Sequence, residues 1–284
     1  MTAARRHLAS SLFAALAALV LSGCESALMD PKGDIGMQQR GVIISAMLWM
    51  ALVVVPVFAM TAWFAWWFRA GNRRARYTPD WHDSPKLEAV VWGVPAAIVL
   101  AMGIGSWQMA HKLDPFRPIA AERPPVAVEV VALDWKWLFI YPEEGIAAVN
   151  ELALPVGVPV AFRITSGSVM NSFFIPRLGS QVYAMSGMET RLHLIADAAG
   201  DYPGMSAQFS GRGFSQMRFR ARAMSRRDYE AWLARARAAP AVLDDRTFSA
   251  LLEPSESHPV TLYSRVEPGL FDALVAKFRT GHGP

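Results

Sequence analysis

The stretch from Thr165 to Met217 alternates short apolar runs with turn residues, a pattern typical of the end of a metal-binding β-sandwich. A redox copper site takes thiolate and imidazole ligands, commonly two His and a Cys with a weak Met. The whole chain has one Cys, Cys24, and this stretch has one His, His193. These residue types exclude a copper centre of that kind in the stretch, and a single Cys excludes an intrachain disulfide.

Other catalytic and binding motifs are missing from the sequence as well. We find no Ser-His-Asp grouping, no paired-carboxylate motif and no phosphate-binding loop. The formal net charge is only +4, and the basic residues are scattered or lie at a predicted membrane edge. Nucleic acid is therefore not an expected partner. Because no catalytic or metal-binding motif includes His193, we interpret it as a structural residue of a strand.

The first 24 residues predict a bacterial export signal. Arg5 and Arg6 precede the apolar run LASSLFAALAALVL, and the small residues of LSGC end the segment. LSGC resembles a lipobox, which predicts a signal peptide over residues 1–23 and a lipidated Cys24 as the first mature residue. An ordinary signal peptide with an incidental Cys is the alternative.

Two apolar runs predict a transmembrane hairpin within residues 24–112. Residues 41–68 carry no charge and are long enough to cross a hydrocarbon core of about 30 Å. The second run, residues 87–109, is apolar apart from Glu88 near its start and Gln108 near its end. Small residues from Gly93 to Gly105 permit the close approach of another helix, unless they simply face lipid.

The loop between the two runs fixes the predicted topology. Its basic residues are Arg69, Arg73, Arg74, Arg76 and Lys86. A short basic loop stays in the cytoplasm, which places the N-terminus and everything after the hairpin outside. The predicted export signal requires the same topology.

Residues 113–124 form a Pro-rich linker, and the pattern then changes to a period of two. Val160, Phe162 and Ile164 alternate with more polar residues, which indicates half-buried strands. We therefore predict an all-β domain over residues 125–224.

A helical period returns over residues 225–284. The apolar faces comprise Tyr229, Trp232, Leu233 and Ala236; Phe248, Leu251 and Leu252; and Leu270, Phe271, Leu274, Val275 and Phe278. We predict a C-terminal helical region that packs on the sandwich or on a neighbouring subunit.

This order of segments resembles subunit II of the haem-copper respiratory oxidases, and most closely the cytochrome o ubiquinol oxidase branch. The runs KLEAVVW, DWKWLFIYPEEGIA and VMNSFFIPRLGSQVYAMSGMETRLHLIA carry the resemblance. It implies a membrane-anchored all-β protein, in which a two-helix transmembrane hairpin precedes a cupredoxin-like β-sandwich and a C-terminal helical extension.

In the cytochrome c branch of this family, the sandwich holds a dinuclear copper centre. Its first His corresponds here to Asn171, its two Cys to Ser206 and Ser210, its Glu to Gln208, its second His to Phe214, and its Met to Met217. We call these six residues the vestigial copper positions. Serine hydroxyls are poor replacements for thiolates, so the resemblance implies no metal on this chain. Met217 alone is interpreted as a core residue.

Glu88 is the other residue to which the resemblance gives a role. From the sequence alone, a carboxylate in the first turn of a helix complements the helix dipole. In the oxidase family, a Glu at this position looks like the mouth of a proton-uptake channel in the neighbouring catalytic subunit.

Two tryptophans occur at alternate positions of a predicted strand. Trp135 and Trp137 are expected on one face of it and Lys136 on the other. We interpret both tryptophans as core or subunit-contact residues.

The resemblance implies a subunit of a proton-pumping ubiquinol oxidase in the bacterial inner membrane, with its N-terminus and C-terminal domain in the periplasm. The haems and copper would lie in the catalytic partner, oxidase subunit I, and ubiquinol would reach the complex through the lipid bilayer. A copper-carrying cytochrome c oxidase subunit II and a free-standing membrane lipoprotein are the alternatives. The vestigial copper positions argue against the first alternative.

Overall fold

The computed structural model describes residues 26–76 and 78–279. The predicted signal peptide and Cys24 lie outside these residues. Within them the chain forms two long helices, a two-sheet β-domain, and a C-terminal region of helices and short strands.

Two helices form the N-terminal hairpin: α1 (Asp34–Trp67) and α2 (Pro85–Lys112). Both are long and apolar enough to cross a membrane. They begin before the predicted spans of residues 41–68 and 87–109, because hydropathy locates the membrane core and not the helix ends. The 34 residues of α1 extend about 51 Å at about 1.5 Å per residue. The helix therefore exceeds the hydrocarbon core and its first turns reach the β-domain.

Twelve strands in the described part of the chain form two sheets. They are β1 (Val126–Leu133), β2 (Lys136–Tyr141), β3 (Ile146–Val149), β4 (Glu151–Pro155), β5 (Val160–Ser166), β6 (Asn171–Ile175), β7 (Gly179–Ala184), β8 (Thr190–Leu194), β9 (Gly200–Ser206), β10 (Arg218–Met224), β11 (Ala241–Leu243) and β12 (Thr261–Val266). One sheet has the order β11-β12-β3-β2-β1-β5-β8, and the other has the order β4-β10-β9-β6-β7.

The two sheets pack face to face around an aromatic core. Trp137 and Phe139 of β2 project from the larger sheet toward Phe173 of β6 and Phe219 of β10. The Phe173 and Phe219 rings stack with centroids 5.2 Å apart. Pairing is antiparallel for most neighbours and parallel for β1 with β5, for β4 with β10 and for β11 with β12. The alternation seen in the sequence therefore marks the inner face of a β-sandwich.

Strands β1, β2 and β3 of the larger sheet are buried on both faces because the C-terminal region covers their outer side. This region contains α3 (Arg226–Arg237), α4 (Asp245–Leu252) and α5 (Leu270–Arg279). Outward residues such as Val131 and Leu138 pack with Phe271 and Leu274 of α5. The predicted helical faces thus lie against the sandwich.

The prediction of a helical region over residues 225–284 missed two strands. Strands β11 and β12 lie within it, and β12 pairs antiparallel with β3 at the edge of the larger sheet. Both strands are short. Pairing with the edge of β3, more than 100 residues earlier in the sequence, stabilises β12. No local period could indicate that pairing.

The expectation that Trp135 and Trp137 share one strand face was also wrong. Leu133 pairs directly with Lys136, so Asp134 and Trp135 form the turn between β1 and β2. Trp135 has a φ of +61°, in the left-handed region that turns require. Trp137 lies in the sandwich core and Trp135 outside it.

Candidate functional site

The vestigial copper positions come together at one end of the sandwich. Asn171 is the first residue of β6 and Ser206 the last residue of β9, while Met217 immediately precedes β10. The loop from β9 to β10 carries the remaining three positions, Gln208, Ser210 and Phe214, the last of them in a single 3₁₀ turn, Phe214–Gln216.

Asn171 and Ser206 are buried and satisfy each other's polar atoms. The Ser206 Oγ lies 3.0 Å from Asn171 Oδ1 and 3.1 Å from the carbonyl oxygen of Gln208, and it can donate to either. The same oxygen accepts a hydrogen bond from the backbone N–H of Ser172 at 3.3 Å. Asn171 Nδ2 donates to the carbonyl oxygen of Val169 at 3.1 Å. A hydrogen-bond network therefore links β6 and β9 at this point.

Met217 lies in the hydrophobic core between the sheets, where it is 1% exposed. Its sulfur is 3.8 Å from the Ser210 hydroxyl, and its carbonyl oxygen accepts a hydrogen bond from the Ser206 N–H at 3.2 Å. A polarizable thioether fills such an irregular gap well.

The donor atoms at these positions do not fit a copper centre. They are two amides, two hydroxyls and a thioether, and Phe214 offers no donor atom at all. In residues 26–76 and 78–279, no three His, Cys, Asp or Glu side chains converge as metal ligands would. Copper needs the soft thiolate and the imidazole that are missing from this set.

Trp135 packs on the loop that carries these positions, which the sequence did not indicate. Its indole N–H donates to the carbonyl oxygen of Ser210 at 2.9 Å. A Cβ added to Gly213 would lie 2.5 Å from the indole ring, and one on Gly211 would lie 3.3 Å away. The glycines of the run GRG are therefore needed for the close approach of the ring. They are the sequence feature from which a close contact at this loop could have been predicted.

The C-terminal region crosses this end of the sandwich and is bonded to it. Lys136, only 1% exposed, donates from Nζ to the carbonyl oxygen of Glu253 at 2.7 Å and to the Ser255 hydroxyl at 2.6 Å. Arg212, in the loop between β9 and β10, forms an ion pair with Glu256 at 2.9 Å. We call residues 253–258 the covering segment. Burial lowers the pKa of Lys136, because removing the ammonium from water disfavours its charged form.

Asn150 connects the covering segment to the middle of the sheet. Its Oδ1 accepts from the Trp137 N–H at 2.9 Å, and its Nδ2 donates to the carbonyl oxygen of His258 at 2.8 Å. Asn150 has a φ of +59°, which Asn tolerates better than most residues.

Glu88 and His193 lie apart from the vestigial copper positions. Glu88 is exposed in the first turn of α2, at the end of the helix away from the β-domain, and its N–H donates to the carbonyl oxygen of Ser84 at 2.9 Å. His193 of β8 has Nδ1 3.1 Å from the carbonyl oxygen of Pro115 in the linker. The structure thus gives His193 a structural contact, and it places Glu88 at the end of α2 that lies opposite the β-domain.

Two family models match separate segments of the chain. The family described as cytochrome c oxidase subunit II, periplasmic domain, matches residues 128–224, and the COX aromatic rich motif matches residues 237–282. Among solved structures, the periplasmic domain of subunit II of cytochrome oxidase of Bradyrhizobium japonicum aligns with a TM-score of 0.40 and 18% identity. That alignment covers 43% of this chain and 98% of that domain.

Curated relatives are similar over nearly the whole length. Cytochrome bo(3) ubiquinol oxidase subunit 2 of Pseudomonas aeruginosa is 52% identical over 98% of this chain and 84% of the relative. Ubiquinol oxidase subunit 2 of Acetobacter aceti is 50% identical over 93% of this chain and 86% of the relative. The fold and these matches define a subunit II of the haem-copper oxidase class. Within that class, the chain belongs to the ubiquinol oxidase subunit 2 family, which confirms the resemblance and the predicted fold class.

Proposed function

We propose that this chain is the subunit of a proton-pumping ubiquinol oxidase that carries no redox centre of its own. The haems and copper would lie in the catalytic partner, oxidase subunit I. The observation that carries this proposal is the hydrogen-bonded pair of Ser206 and Asn171, which occupies positions that hold copper ligands in the cytochrome c branch. The lack of suitable donor atoms there disfavours a copper-carrying subunit.

The chemistry of the electron donor explains why such a subunit can work without copper. Ubiquinol is a lipid-soluble donor and reaches the complex through the bilayer. The periplasmic domain therefore needs neither a docking site for a soluble donor nor a relay centre. Its remaining tasks are to anchor the subunit and to cover the outer surface of the complex.

Exposed apolar surface supports assembly with other subunits. Val169, Met170 and Phe209 lie on loops beside the vestigial copper positions and are 53%, 41% and 73% exposed. Apolar side chains clustered at one end of a periplasmic domain are typical of a protein interface. We assign this end, together with the hairpin, to contacts with oxidase subunit I.

Glu88 is the residue that we assign to proton uptake. It is exposed at the inner end of α2, where a carboxylate can take a proton from the cytoplasm. In this role Glu88 holds and passes protons at the entrance and takes no part in oxygen reduction.

The inner membrane is the location that we propose, with a lipid anchor at Cys24. Two helices suited to spanning a membrane and a periplasmic domain support that location. In the lipidation step a membrane phospholipid transfers its diacylglyceryl group to Cys24 Sγ, forming a thioether, and the thiol proton leaves with the headgroup phosphate. Water then hydrolyses the Gly23–Cys24 bond. Mass spectrometry of the mature N-terminus tests both steps.

Affinity purification of the tagged chain in mild detergent tests the proposed function. Oxygen uptake would be measured with ubiquinol and with reduced cytochrome c, and the copper bound to the isolated subunit would be determined. We expect a haem-containing complex that consumes oxygen with ubiquinol only. Activity with reduced cytochrome c, or copper on the isolated subunit, would overturn the proposal. A chain that purifies alone and inert would favour the free-standing lipoprotein.

A further inference from the structure

An apolar groove lies where the outer ends of α1 and α2 meet the β-domain. Its volume is about 420 Å³, within the range of small-molecule pockets. The lining is mostly apolar and includes Leu28, Val42, Ile43, Met109, Ala110 and Leu113. Nothing in the established family assignment gives this groove an occupant.

The groove lies at the outer boundary of the membrane. Its α1 residues begin at Gly36, and the uncharged part of the helix starts at Gly41. Arg40 at its edge is the last charged residue before the apolar run of α1. The groove therefore spans the level at which lipid headgroups give way to acyl chains.

The segment before α1 is held in a fixed place beside the groove. The Lys32 N–H donates to the carbonyl oxygen of Arg177 at 2.6 Å, and the Asp197 N–H donates to the carbonyl oxygen of Lys32 at 2.8 Å. Asp30 forms an ion pair with Arg177 at 2.6 Å. At Gly33, an added Cβ would lie 2.3 Å from the carbonyl oxygen of Ile195, so only glycine fits.

The length of chain before this segment sets where a lipid on Cys24 can begin. Cys24 is four residues before Leu28, which itself lines the groove. Four residues span at most about 14 Å when fully extended. A lipid attached to Cys24 therefore starts within reach of the groove and at the correct depth in the membrane.

We propose that the groove holds an acyl chain of the lipid attached to Cys24, which would make it an intramolecular lipid-binding site. This inference rests on the lipidation of Cys24 included in the proposed function. In a bilayer the acyl chain gains no hydrophobic free energy by leaving the surrounding lipid. The covalent attachment to Cys24 makes this acyl chain the preferred occupant, because it raises the effective concentration of the acyl chain at the groove above that of free phospholipid.

Such a contact would fasten the mature N-terminus to both helices. The lipid would fill the space between Leu28 on one side and Met109 and Leu113 on the other. The anchor would then stabilise the junction of the hairpin with the β-domain and would not merely duplicate the membrane attachment that the helices provide.

Photo-crosslinking in the intact oxidase tests the inference. Cells would be grown with a fatty acid that carries a diazirine and an alkyne, and the purified complex would be irradiated, digested and analysed by mass spectrometry. We expect the N-terminal lipopeptide to be joined to the α2 peptide that contains Met109, Ala110 and Leu113. Ala110→Trp fills the groove and should abolish this product. Ala97→Trp, on the same helix but outside the groove, should retain it.

The possible outcomes separate this inference from the proposed lipidation. An intact-mass measurement of the N-terminal peptide reports lipidation independently of any crosslink. A lipidated Cys24 whose acyl chains react only with phospholipid or with another subunit would overturn the groove assignment and leave the lipoprotein proposal standing. The same holds if the groove peptides carry only free phospholipid. An N-terminus without lipid would overturn both.

Discussion

The hydroxyl of Ser206 and the side-chain oxygen of Asn171 lie 3.0 Å apart in the interior of the sandwich. In the copper-carrying branch, the corresponding Cys and His bind the metal and so connect two strands through it. Here a hydrogen bond connects β9 to β6 directly. The end of the sandwich can therefore stay ordered without a metal, because every polar group introduced at these two positions has a partner.

Substitution Ser206→Ala should loosen this end of the sandwich. The change leaves the buried Ser172 N–H and the Asn171 side-chain oxygen without their partner, at a cost of about 1–3 kcal/mol. Amide hydrogen exchange of β6 and β9 in the purified complex would measure it, with faster exchange expected in these strands. Ser215→Ala, at an exposed position, is the matched control and should leave the exchange rates unchanged. Equal exchange in both variants would contradict the prediction.

The hairpin and the sandwich could be predicted from the sequence because each follows a local rule. A membrane helix needs about 20 apolar residues, and residues 41–68 and 87–109 satisfy that requirement by themselves. The strand around Phe162 alternates because one of its faces packs in the core while the other carries Arg163. Such patterns are visible without knowledge of any distant contact.

The contacts around the vestigial copper positions could not be predicted, because they join distant parts of the chain. Lys136 reaches Glu253, and Trp135 reaches Ser210 across 75 residues. The turn at Trp135 also shifts the alternation between β1 and β2, so a simple period of two assigned this residue to the wrong face. Gly211 and Gly213 indicate that some group packs closely on the loop, but the sequence does not show that this group is the side chain of Trp135.

Substitution Lys136→Met should release the covering segment. It removes the donor to the Glu253 carbonyl and the Ser255 hydroxyl, while it also removes a buried charge that is costly to desolvate. These effects oppose each other in global stability, so the sensitive measurement is local. We expect faster hydrogen exchange of the Ser255 amide, which donates to the Asp134 carbonyl at 3.1 Å. Lys86→Met, at an exposed position, is the control, and unchanged exchange in Lys136→Met would refute the contact.

Two carboxylates that share Arg163 should give stability opposite dependences on pH. Desolvation raises the pKa of Glu129 above 4.5. The positive charge of Arg163, bonded to Glu129 at 2.7 Å, lowers this pKa, but not enough to cancel the desolvation. The negative charges of Asp272 and Glu189 raise the pKa of Glu129 further. The hydrogen bond from Arg163 lowers the pKa of Glu189, with a smaller contribution from Arg191. The contribution of Glu129 is present at low pH and is lost as pH rises through its folded pKa. The contribution of Glu189 is present above pH 4.5 and is lost as pH falls.

The variants Glu129→Gln and Glu189→Gln separate the two effects. Relative to the unmodified chain, Glu189→Gln should be less stable at neutral pH, and its deficit should shrink toward about pH 4. Glu129→Gln should gain relative stability as pH rises over the same range. Thermal unfolding of the purified complex at both pH values would measure the difference. Parallel pH dependences for the two variants would contradict the assignment.

Substitution Gly213→Ala should displace Trp135 from the loop. The new Cβ would meet the indole ring at 2.5 Å, and a rigid ring packed on backbone cannot yield cheaply. The bond from the indole N–H to the Ser210 carbonyl should break, at about 1–3 kcal/mol for the loop. Faster hydrogen exchange in residues 207–217 is the expected result. Gly71→Ala, where an added Cβ meets nothing within 4 Å, should have no such effect.

Substitution Glu88→Gln tests the proposed entrance for protons. The neutral amide keeps the shape of the side chain but cannot take up a proton, so turnover should slow severalfold while assembly stays intact. The loss should remain well under the ~10²–10⁴ of a group that transfers a proton in the chemical step, because water can bypass an exposed carboxylate. Oxygen uptake with ubiquinol would measure turnover, and the haem content per complex would report assembly. Glu122→Gln, exposed on the periplasmic side, is the matched control. Equal turnover in Glu88→Gln and in the control would contradict the role in proton uptake. Glu88 would then serve only as a carboxylate that complements the dipole at the start of the helix.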